Sequence, residues 1–548
     1  MKVQTIHDIQ PVLHEYAQPR TAVWDALWLH RAPNRIALAI MPNDTALDAV
    51  RQDCAALRLD YPAQKPPGWT EAWDKHLMTD VIDVYARMRL PGDAFLSLSV
   101  PSFAHGQSQG ICDLFGARVE TLPSGHEHVH PFPADPGAIH ALAVRPIQAS
   151  RYWNAVAYIV YARAATQGVF EFRNPVMTGP LDTANYLLGT TTLMEWVYTE
   201  PETLHVLLGK ITDVLIAMIT ALRKAAGGVL HARHFACMCG GFDVCSECRS
   251  LVSRETYEAF EAPYLRRLGE TLGPYGIHSC GSWERTVPSA LQDPNLHAMN
   301  GQIRENDWQE LCRLSQGRMT YSIAPSTTVA EKYTWRTMAE FYEFIIETTP
   351  DSQPLELSLS EDDLPVWNQL CHTHRRAGCI LQDTRPSSSR FSPWITQGWR
   401  VSKLLPKAPD LASAAGVTLL DALDWRSLTP PDSPNNRMSL HYLYNDQDGL
   451  VYFGLRFRVV TAGLWGLYLG HDGGIKLFLN GRQLAYQPEQ VNPVKTDRTK
   501  VTTDLSVGSH ELIVAIDTNK GKGSAITFRF QTPADSNYNM EDFPVHEI

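Results

Sequence analysis

Short apolar segments that predict β-strands alternate with amphipathic segments that predict helices between residues 150 and 385. In one such unit Ser253 is placed to cap a helix, Gly273-Pro274 ends it, and an apolar strand follows at residues 275–279. Because a strand followed by a helix joins the next strand in parallel, repeated units of this kind indicate a parallel sheet. Their number favours an α/β fold that closes into a (β/α)8 barrel of the TIM type.

The pattern changes after residue 385. Proline and serine are frequent in residues 386–394, which is typical of a linker. Further along, Arg456 and Arg458 alternate with apolar residues, and Asn480-Gly481 has the composition of a hairpin turn, so an all-β sandwich is favoured. The chain therefore divides into four predicted segments: a barrel at 1–385, a linker at 386–394, a sandwich at 395–533 and a polar tail at 534–548.

Composition excludes some partners. The 548-residue chain has 48 basic and 59 acidic side chains, so its formal net charge is −11, and no long run of Lys or Arg interrupts that balance. The chain therefore offers no electrostatic footprint for nucleic acid or an anionic membrane. Residues 1–8 lack the apolar stretch of a secretory signal. We expect a cytoplasmic protein that binds neither nucleic acid nor a membrane.

The most distinctive short motif is His278-Ser-Cys280-Gly281, at the end of a predicted strand. In a parallel barrel, side chains at the carboxyl ends of the strands line the active site. His278 and Cys280 are two residues apart and so point to the same face of a strand. An imidazole and a thiolate placed in this way can bind a soft cation such as zinc. The alternative is that both are ordinary core residues.

Residues 252–268 and 276–281, with Thr178-Gly-Pro-Leu181 upstream, resemble the uroporphyrinogen decarboxylase superfamily, which includes cobalamin-dependent methyltransferases. The resemblance covers about residues 20–385 and is clearest from 175 to 325. It implies a distorted (β/α)8 barrel with a cleft at its carboxyl-terminal mouth. It also implies an enzyme that acts on a small-molecule substrate.

The branches of this superfamily differ in motifs that the sequence can test. The decarboxylases carry an arginine-rich motif near the N-terminus for the porphyrinogen carboxylates, and this chain lacks it. The methyltransferases carry His-x-Cys-Gly and a further Cys at the end of the last strand, which together hold zinc. His278 and Cys280 match the first two ligands, but the last strand ends in Glu361 and Asp362 instead of Cys. Glu361 is therefore a candidate ligand or catalytic carboxylate. Zinc also accepts carboxylate oxygen, so the missing Cys bears on the thiol-methylating chemistry and not on the presence of a metal site.

A carboxylate and a thiol precede the next helix. Family members often have acidic residues six or seven positions before the Ser that starts this helix, and counting back from Ser253 leads to Ser246 and Glu247. Glu247 is our candidate for a fourth metal ligand or a general acid/base, because a carboxylate beside a cation can also move protons. Its alternative is a solvated loop carboxylate. Cys248 is a further candidate ligand of the same ion.

Four cysteines lie close together in the sequence, at spacing C-x-C-x5-C-x2-C. Four thiolates so placed could hold a separate structural zinc or an iron–sulfur cluster. The single residue between the first two fits neither the usual zinc-knuckle nor the ferredoxin spacing, so free thiols are the alternative. These residues are Cys237, Cys239, Cys245 and Cys248.

Residues 395–533 resemble a galactose-binding-like β-sandwich, chiefly through the stretch from Leu469 to Gly481. Such modules bind glycans in some proteins and only pack against a catalytic domain in others. Trp465 and Asp472 are possible sugar contacts, and their alternatives are a core Trp and a turn Asp.

Three functions follow from these observations. The leading one is a zinc-dependent, methyltransferase-like enzyme that activates a thiol acceptor and takes its methyl group from a corrinoid on a partner protein. In it, His278, Cys280, Glu247 and Cys248 hold the metal, and Glu247 and Glu361 are the candidate catalytic carboxylates. The second is a decarboxylase, lyase or hydrolase that acts on a small acid or sugar derivative at the same mouth. The third is a non-catalytic carbohydrate-binding protein.

Overall fold

The computed structural model describes most of the chain. It leaves out residues 1, 30–35, 106–109, 123–126, 134, 324–327, 330–332, 336, 382–390, 393, 407–410, 420–422, 429–436, 445–446, 492–493, 533–542 and 548. Most of the predicted linker and tail therefore lies outside the described residues. The contacts divide the chain into unit 1 (1–324, 346–361 and 368–382) and unit 2 (325–345, 362–367 and 383–548). The boundary at residues 385–395 remains a prediction.

Helices account for most of the regular structure before residue 375, and one short helix, α17, lies after it. They are α1 Ile6–Ala17, α2 Thr21–Trp28, α3 Asp44–Asp53, α4 Glu71–Arg87, α5 Ser102–His105, α6 Pro136–Ala141, α7 Asn154–Ala165, α8 Pro180–Leu188, α9 Thr190–Thr199, α10 Pro201–Ala225, α11 Arg254–Phe260, α12 Ala262–Leu272, α13 Val287–Ala290, α14 Trp308–Ser315, α15 Met338–Thr348, α16 Leu364–Thr373 and α17 His441–Tyr444. The predicted cap is present at α11, where the Ser253 side chain accepts the Thr256 N–H.

The strands before residue 361 include the parallel sheet of unit 1. They are β1 Ala37–Met41, β2 Arg118–Thr121, β3 Glu127–His130, β4 Phe242–Cys245, β5 Tyr275–Ser279, β6 Leu296–Gly301, β7 Thr320–Ile323, β8 Thr328–Val329, β9 Thr334–Trp335 and β10 Leu355–Ser360. Six of them pair in the order β1-β10-β7-β6-β5-β4. All five pairings are parallel, which confirms the α/β prediction.

The segment that contains Leu98 and the segment at residues 172–178 add to this sheet through single bridges. Leu98 pairs with Phe172, Arg173 with His231 and Thr178 with Cys245, each in parallel. The N–H of Asp93 also donates to Leu38 in β1. These bridges reach from β1 on one edge to β4 on the other, as a barrel requires. A closed eight-stranded barrel stays a prediction, because six strands form the described ladder.

Helix α10 has 25 residues, and its most apolar 18-residue window has a mean hydropathy of 1.7, so among the described helices it alone is long and apolar enough to cross a membrane. Half of its most apolar window is buried. It packs against α7, α8 and α12 of the same unit. These contacts are those of a core helix.

Unit 2 contains the later strands. They are β11 Trp399–Val401, β12 Arg426–Ser427, β13 Met438–Ser439, β14 Leu450–Val459, β15 Gly463–His471, β16 Ile475–Leu479, β17 Arg482–Gln487, β18 Lys495–Leu505, β19 Gly508–Asp517, β20 Ala525–Gln531 and β21 Val545–His546. One antiparallel sheet has the order β12-β11-β14-β19-β16-β17, with β21 beside β14, and the other has the order β13-β20-β15-β18. Their inner faces share one apolar core, so this part of the chain has the layout of a β-sandwich.

The hairpin turn between β16 and β17 is where the sequence places it. Asn480 and Gly481 both have positive φ, 49° and 77°, as a two-residue turn of this type needs.

The two candidate sugar contacts, Trp465 and Asp472, have structural roles inside the sandwich. Trp465 is fully buried. Oδ1 of Asp472 accepts the N–H groups of Gly473, Ser524 and Ala525, so this buried carboxylate is a turn residue.

Candidate metal centre

The carboxyl ends of β4, β5 and β6 lie side by side. In the register of these strands, Cys245 is paired with His278 and His278 with Asn300, and Asn300 is paired with Ser322 of β7. Residues paired across neighbouring strands project to the same face of a sheet. The His278 and Asn300 side chains therefore share a face, and Cys280 follows directly where β5 ends.

Three predicted site residues converge at this edge. The ligand atoms of Glu247, His278 and Cys280 all lie within 4.8 Å of one another, and we call this group the metal triad. Nε2 of His278 is 3.5 Å from Sγ of Cys280 and 3.4 Å from Oε1 of Glu247. The triad presents one nitrogen, one sulfur and one oxygen donor, a set that suits zinc.

The hydrogen-bond partners of His278 decide which of its nitrogens can bind a metal. Asn300 donates through Nδ2 to the carbonyl and the hydroxyl of Ser322, so its Oδ1 must be the atom that faces His278. This oxygen lies 2.6 Å from Nδ1 of His278 and can only accept, so Nδ1 carries the hydrogen. The lone pair is then on Nε2, the atom that faces Glu247 and Cys280. The chain thus sets the tautomer that metal binding needs.

The carboxylate of Glu247 is held from two directions. Its Oε2 accepts the backbone N–H of Cys280 at 2.7 Å. The segment that carries it is fixed by the buried Asp182 of α8, whose two oxygens accept the N–H groups of Glu247 and Cys248, each at 2.8 Å. Burial raises the pKa of Asp182 to about 6. Asp182 therefore fixes the backbone at Glu247, the residue that contributes the oxygen donor of the triad.

Burial and charge set the protonation of the triad. Burial, followed by the charge of Glu247, raises the pKa of the Cys280 thiol to about 11. Burial also lowers the pKa of His278, and the neighbouring His234 adds to that effect. Without a cation the thiol is therefore protonated at neutral pH and the imidazole is neutral. A metal that binds here has to displace the thiol proton.

Two other predicted site residues lie outside the triad. Cys248 is buried, and burial beside Asp182 raises the pKa of its thiol. Glu361 accepts the backbone N–H of Asn43 through Oε2 at 3.0 Å. Neither belongs to the group of ligand atoms within 4.8 Å that the described residues form. The structure therefore does not bring Cys248 or Glu361 to the proposed ion.

The four clustered cysteines do not assemble into a common site. All four are free thiols, and Cys239 is the only one that is not fully buried. No group of three or more metal-binding side chains within the described part of the chain includes two of them. The alternative of separate free thiols fits this arrangement.

A second group of possible ligands, Glu171, His231 and Cys239, has a different hydrogen-bond pattern. Nδ1 of His231 accepts the N–H of Gly240 at 2.7 Å, so in the neutral ring the hydrogen is on Nε2. That nitrogen lies 2.8 Å from Oε2 of Glu171, and this bond lowers the pKa of Glu171. Neither nitrogen of the neutral His231 ring then has a lone pair free to bind a metal. The group is therefore a hydrogen-bonded pair beside a thiol.

Sequence reasoning assigned no role to four residues that shape the site: Asp182, His234, Asp243 and Asn300. Nδ1 of His234 pairs with Oδ2 of the buried Asp243. Burial acts to raise the pKa of Asp243, but His234 and the Arg233 N–H outweigh it, so this carboxyl has a lowered pKa. Of these four, Asp182 is the one that position in the sequence could have indicated, since it comes one residue after the quoted Thr178-Gly-Pro-Leu181 stretch.

Part of the chain matches a known protein family. The family model for uroporphyrinogen decarboxylase matches residues 113–311. This segment carries a uroporphyrinogen decarboxylase-type domain. The domain contains β4, β5 and β6, all three members of the metal triad, and Asn300. It confirms the superfamily expected from the sequence.

Individual relatives were also found. Over 119 residues the chain is 30% identical to the methylated-thiol–coenzyme M methyltransferase of Methanosarcina mazei. That match spans 22% of this chain and about 30% of the relative's length. A solved methyltransferase from Methanosarcina mazei aligns with 66% of this chain and 98% of its own, at 14% identity and a TM-score of 0.43. The PA14 domain of the MpAFP antifreeze protein covers 30% of this chain and 95% of its own, at 14% identity and a TM-score of 0.17.

Proposed function

We propose that this protein is a cytoplasmic, zinc-dependent methyltransferase that moves a methyl group from a corrinoid on a partner protein to the thiol of a small molecule. The convergence of Glu247, His278 and Cys280 within 4.8 Å carries the proposal. The uroporphyrinogen decarboxylase-type domain and the similarity to a methylated-thiol methyltransferase support the type of reaction.

Each member of the triad has a role in the proposal. His278 would supply nitrogen, Cys280 sulfur and Glu247 oxygen to a bound zinc, and catalytic zinc sites with three protein ligands can take up a substrate as well. Zinc bound there lowers the pKa of a thiol that joins it and so makes a nucleophile available at neutral pH. Glu247 is also the nearest carboxylate for moving a proton. Glu361 stays a candidate catalytic carboxylate that would act from outside the triad.

A second candidate is a lyase, decarboxylase or hydrolase reaction on a small acid or sugar derivative. The observation that favours it is the oxygen donor of the triad, since Glu247 is the third ligand here and the methyltransferases that the sequence resembles use a second Cys. In this alternative Glu247 is the acid/base and the metal polarises the substrate.

Metal analysis of the purified protein tests the proposal. We expect about one zinc per chain in the wild type and its loss in Cys280→Ser. The matched control is Cys239→Ser, which alters the thiol of the other His, Cys and Glu group and should keep its zinc. A wild type that binds no zinc would contradict the proposal. Methylcobalamin and 2-mercaptoethanol then serve as methyl donor and acceptor, and a zinc-loaded protein that transfers no methyl group would leave the second candidate.

A further inference from the structure

The imidazole of His234 lies directly against that of His278. The two ring centroids are 4.3 Å apart and the ring planes differ by 15°. On its other side His234 is held through Nδ1 by the carboxylate of Asp243, and this carboxylate also accepts the Arg233 N–H. The stacked ring therefore has one nitrogen fixed by the protein and the other available.

Stacking excludes His234 as a further metal ligand. A metal bound by an imidazole lies in the plane of that ring, along the nitrogen lone pair. Two nearly parallel planes stacked at this distance cannot both contain the same ion. His234 is thus beside the triad without belonging to it.

The segment that carries His234, residues 232–237, is fixed by groups from several strands. The half-buried Arg173 donates to the carbonyls of Ala232, Arg233, Phe235 and Ala236. The buried Glu356 of β10 accepts the N–H groups of Ala236 and Cys237. Ser322 of β7 donates to the carbonyl of His234 itself. A half-buried cation and a buried carboxylate both hold the backbone of this short segment, which carries the His234 ring.

Nε2 of His234 is the ring nitrogen that can accept a hydrogen. The His234 side chain is 21% exposed and the His278 side chain 19%, so neither of the two stacked rings is fully buried. Among the described residues none hydrogen-bonds Nε2. Since Nδ1 carries the hydrogen shared with Asp243, Nε2 of the neutral ring has a lone pair and is an acceptor.

We propose that His234 is a catalytic residue that takes the hydrogen of the acceptor thiol when this thiol binds beside His278. The S–H bond breaks, its electron pair stays on sulfur as the thiolate, and the proton is transferred to Nε2. Asp243 then stabilises the imidazolium through Nδ1. This inference rests on the proposed function, because it takes the substrate to be a thiol.

The test follows thiol binding to the protein loaded with Co(II), a spectroscopic substitute for zinc. Stopped-flow measurement of the thiolate-to-cobalt absorbance gives the rate at which 2-mercaptoethanol binds. We expect His234→Ala and His234→Gln to bind Co(II) as the wild type does, but to bind the thiol about 100-fold more slowly. Gln can hydrogen-bond but cannot take up a proton, so it should not restore the rate.

Other outcomes separate this inference from the proposed function. A thiol-binding rate equal to that of the wild type in His234→Ala or His234→Gln would overturn the role of His234 and leave the metal centre intact. Loss of Co(II) from both variants would make His234 a ligand and overturn it as well. A wild type that binds no Co(II) would overturn the proposed function and this inference together.

Discussion

Oδ1 of Asn300 lies 2.6 Å from Nδ1 of His278 and holds this ring in the tautomer whose Nε2 can bind a cation. Partners of this kind typically change metal affinity 10- to 100-fold when they are removed. We therefore expect Asn300→Leu to bind zinc about 10- to 100-fold more weakly than the wild type, as measured by competition with a chromogenic chelator.

Asn300→Asp is the matched control for this substitution. Aspartate keeps an acceptor oxygen opposite Nδ1, so its zinc affinity should stay within a few-fold of the wild type. Equal affinity in the wild type and in Asn300→Leu would show that the Asn300 hydrogen bond does not matter for binding.

Asp182 should influence the metal through Glu247. Because each of its two oxygens accepts a different backbone N–H, an Asn side chain must turn its NH2 group towards one of these donors. We expect Asp182→Asn to lower zinc affinity about 10-fold. In a double-mutant cycle most of this loss should disappear when Glu247→Gln is already present. Additive losses would mean that Asp182 does not act by positioning Glu247.

The main elements of the site were predictable because they depend on local sequence. The spacing of His278 and Cys280 on one strand face, and the position of Glu247 before the helix that Ser253 caps, indicated the residues that the structure brings together. The parallel sheet followed in the same way from alternating strands and helices. Asn300 was not predictable, since its pairing with His278 depends on the register between two strands.

The last strand shows where sequence reasoning led away from the observed triad. By position, Glu361 was a reasonable ligand, but its side chain is bonded to the N–H of Asn43 after β1. His234 was overlooked because it lies outside any strand end. Its position depends on Arg173 and Glu356, which come from distant parts of the chain. Long-range contacts of this kind leave no local pattern.

Glu261 should make stability fall as pH rises. Burial, followed by the charge of Asp182, raises the pKa of Glu261 from its usual 4.5 to about 7. Between these values the unfolded chain has lost a proton that the folded protein keeps, so this group's stabilising contribution decreases across that window and is lost above it. Urea unfolding at several pH values should show Glu261→Gln gaining about 1–3 kcal/mol over the wild type between pH 4.5 and pH 8.

The exposed Glu258 provides the control for this measurement. Its hydrogen bonds to Ser289 and Arg254 lower its pKa, so Glu258→Gln should show no gain with rising pH. If the difference between Glu261→Gln and the wild type were the same at every pH, Glu261 would titrate alike in the folded and unfolded chain.

The last prediction concerns Asp472, which distinguishes a sugar ligand from a turn residue. Within the described part of the chain, Oδ1 of Asp472 accepts three backbone N–H groups, and Oδ2 meets only the hydroxyl of Ser524. Asparagine keeps an oxygen at the Oδ1 position, and burial already disfavours the charge by raising the Asp472 pKa. Calorimetry should therefore show Asp472→Asn within about 1 kcal/mol of the wild type and Asp472→Ala destabilised by about 2–4 kcal/mol. Equal destabilisation by both substitutions would mean that the charge of Asp472, and not its bonds to the backbone, is what the sandwich needs.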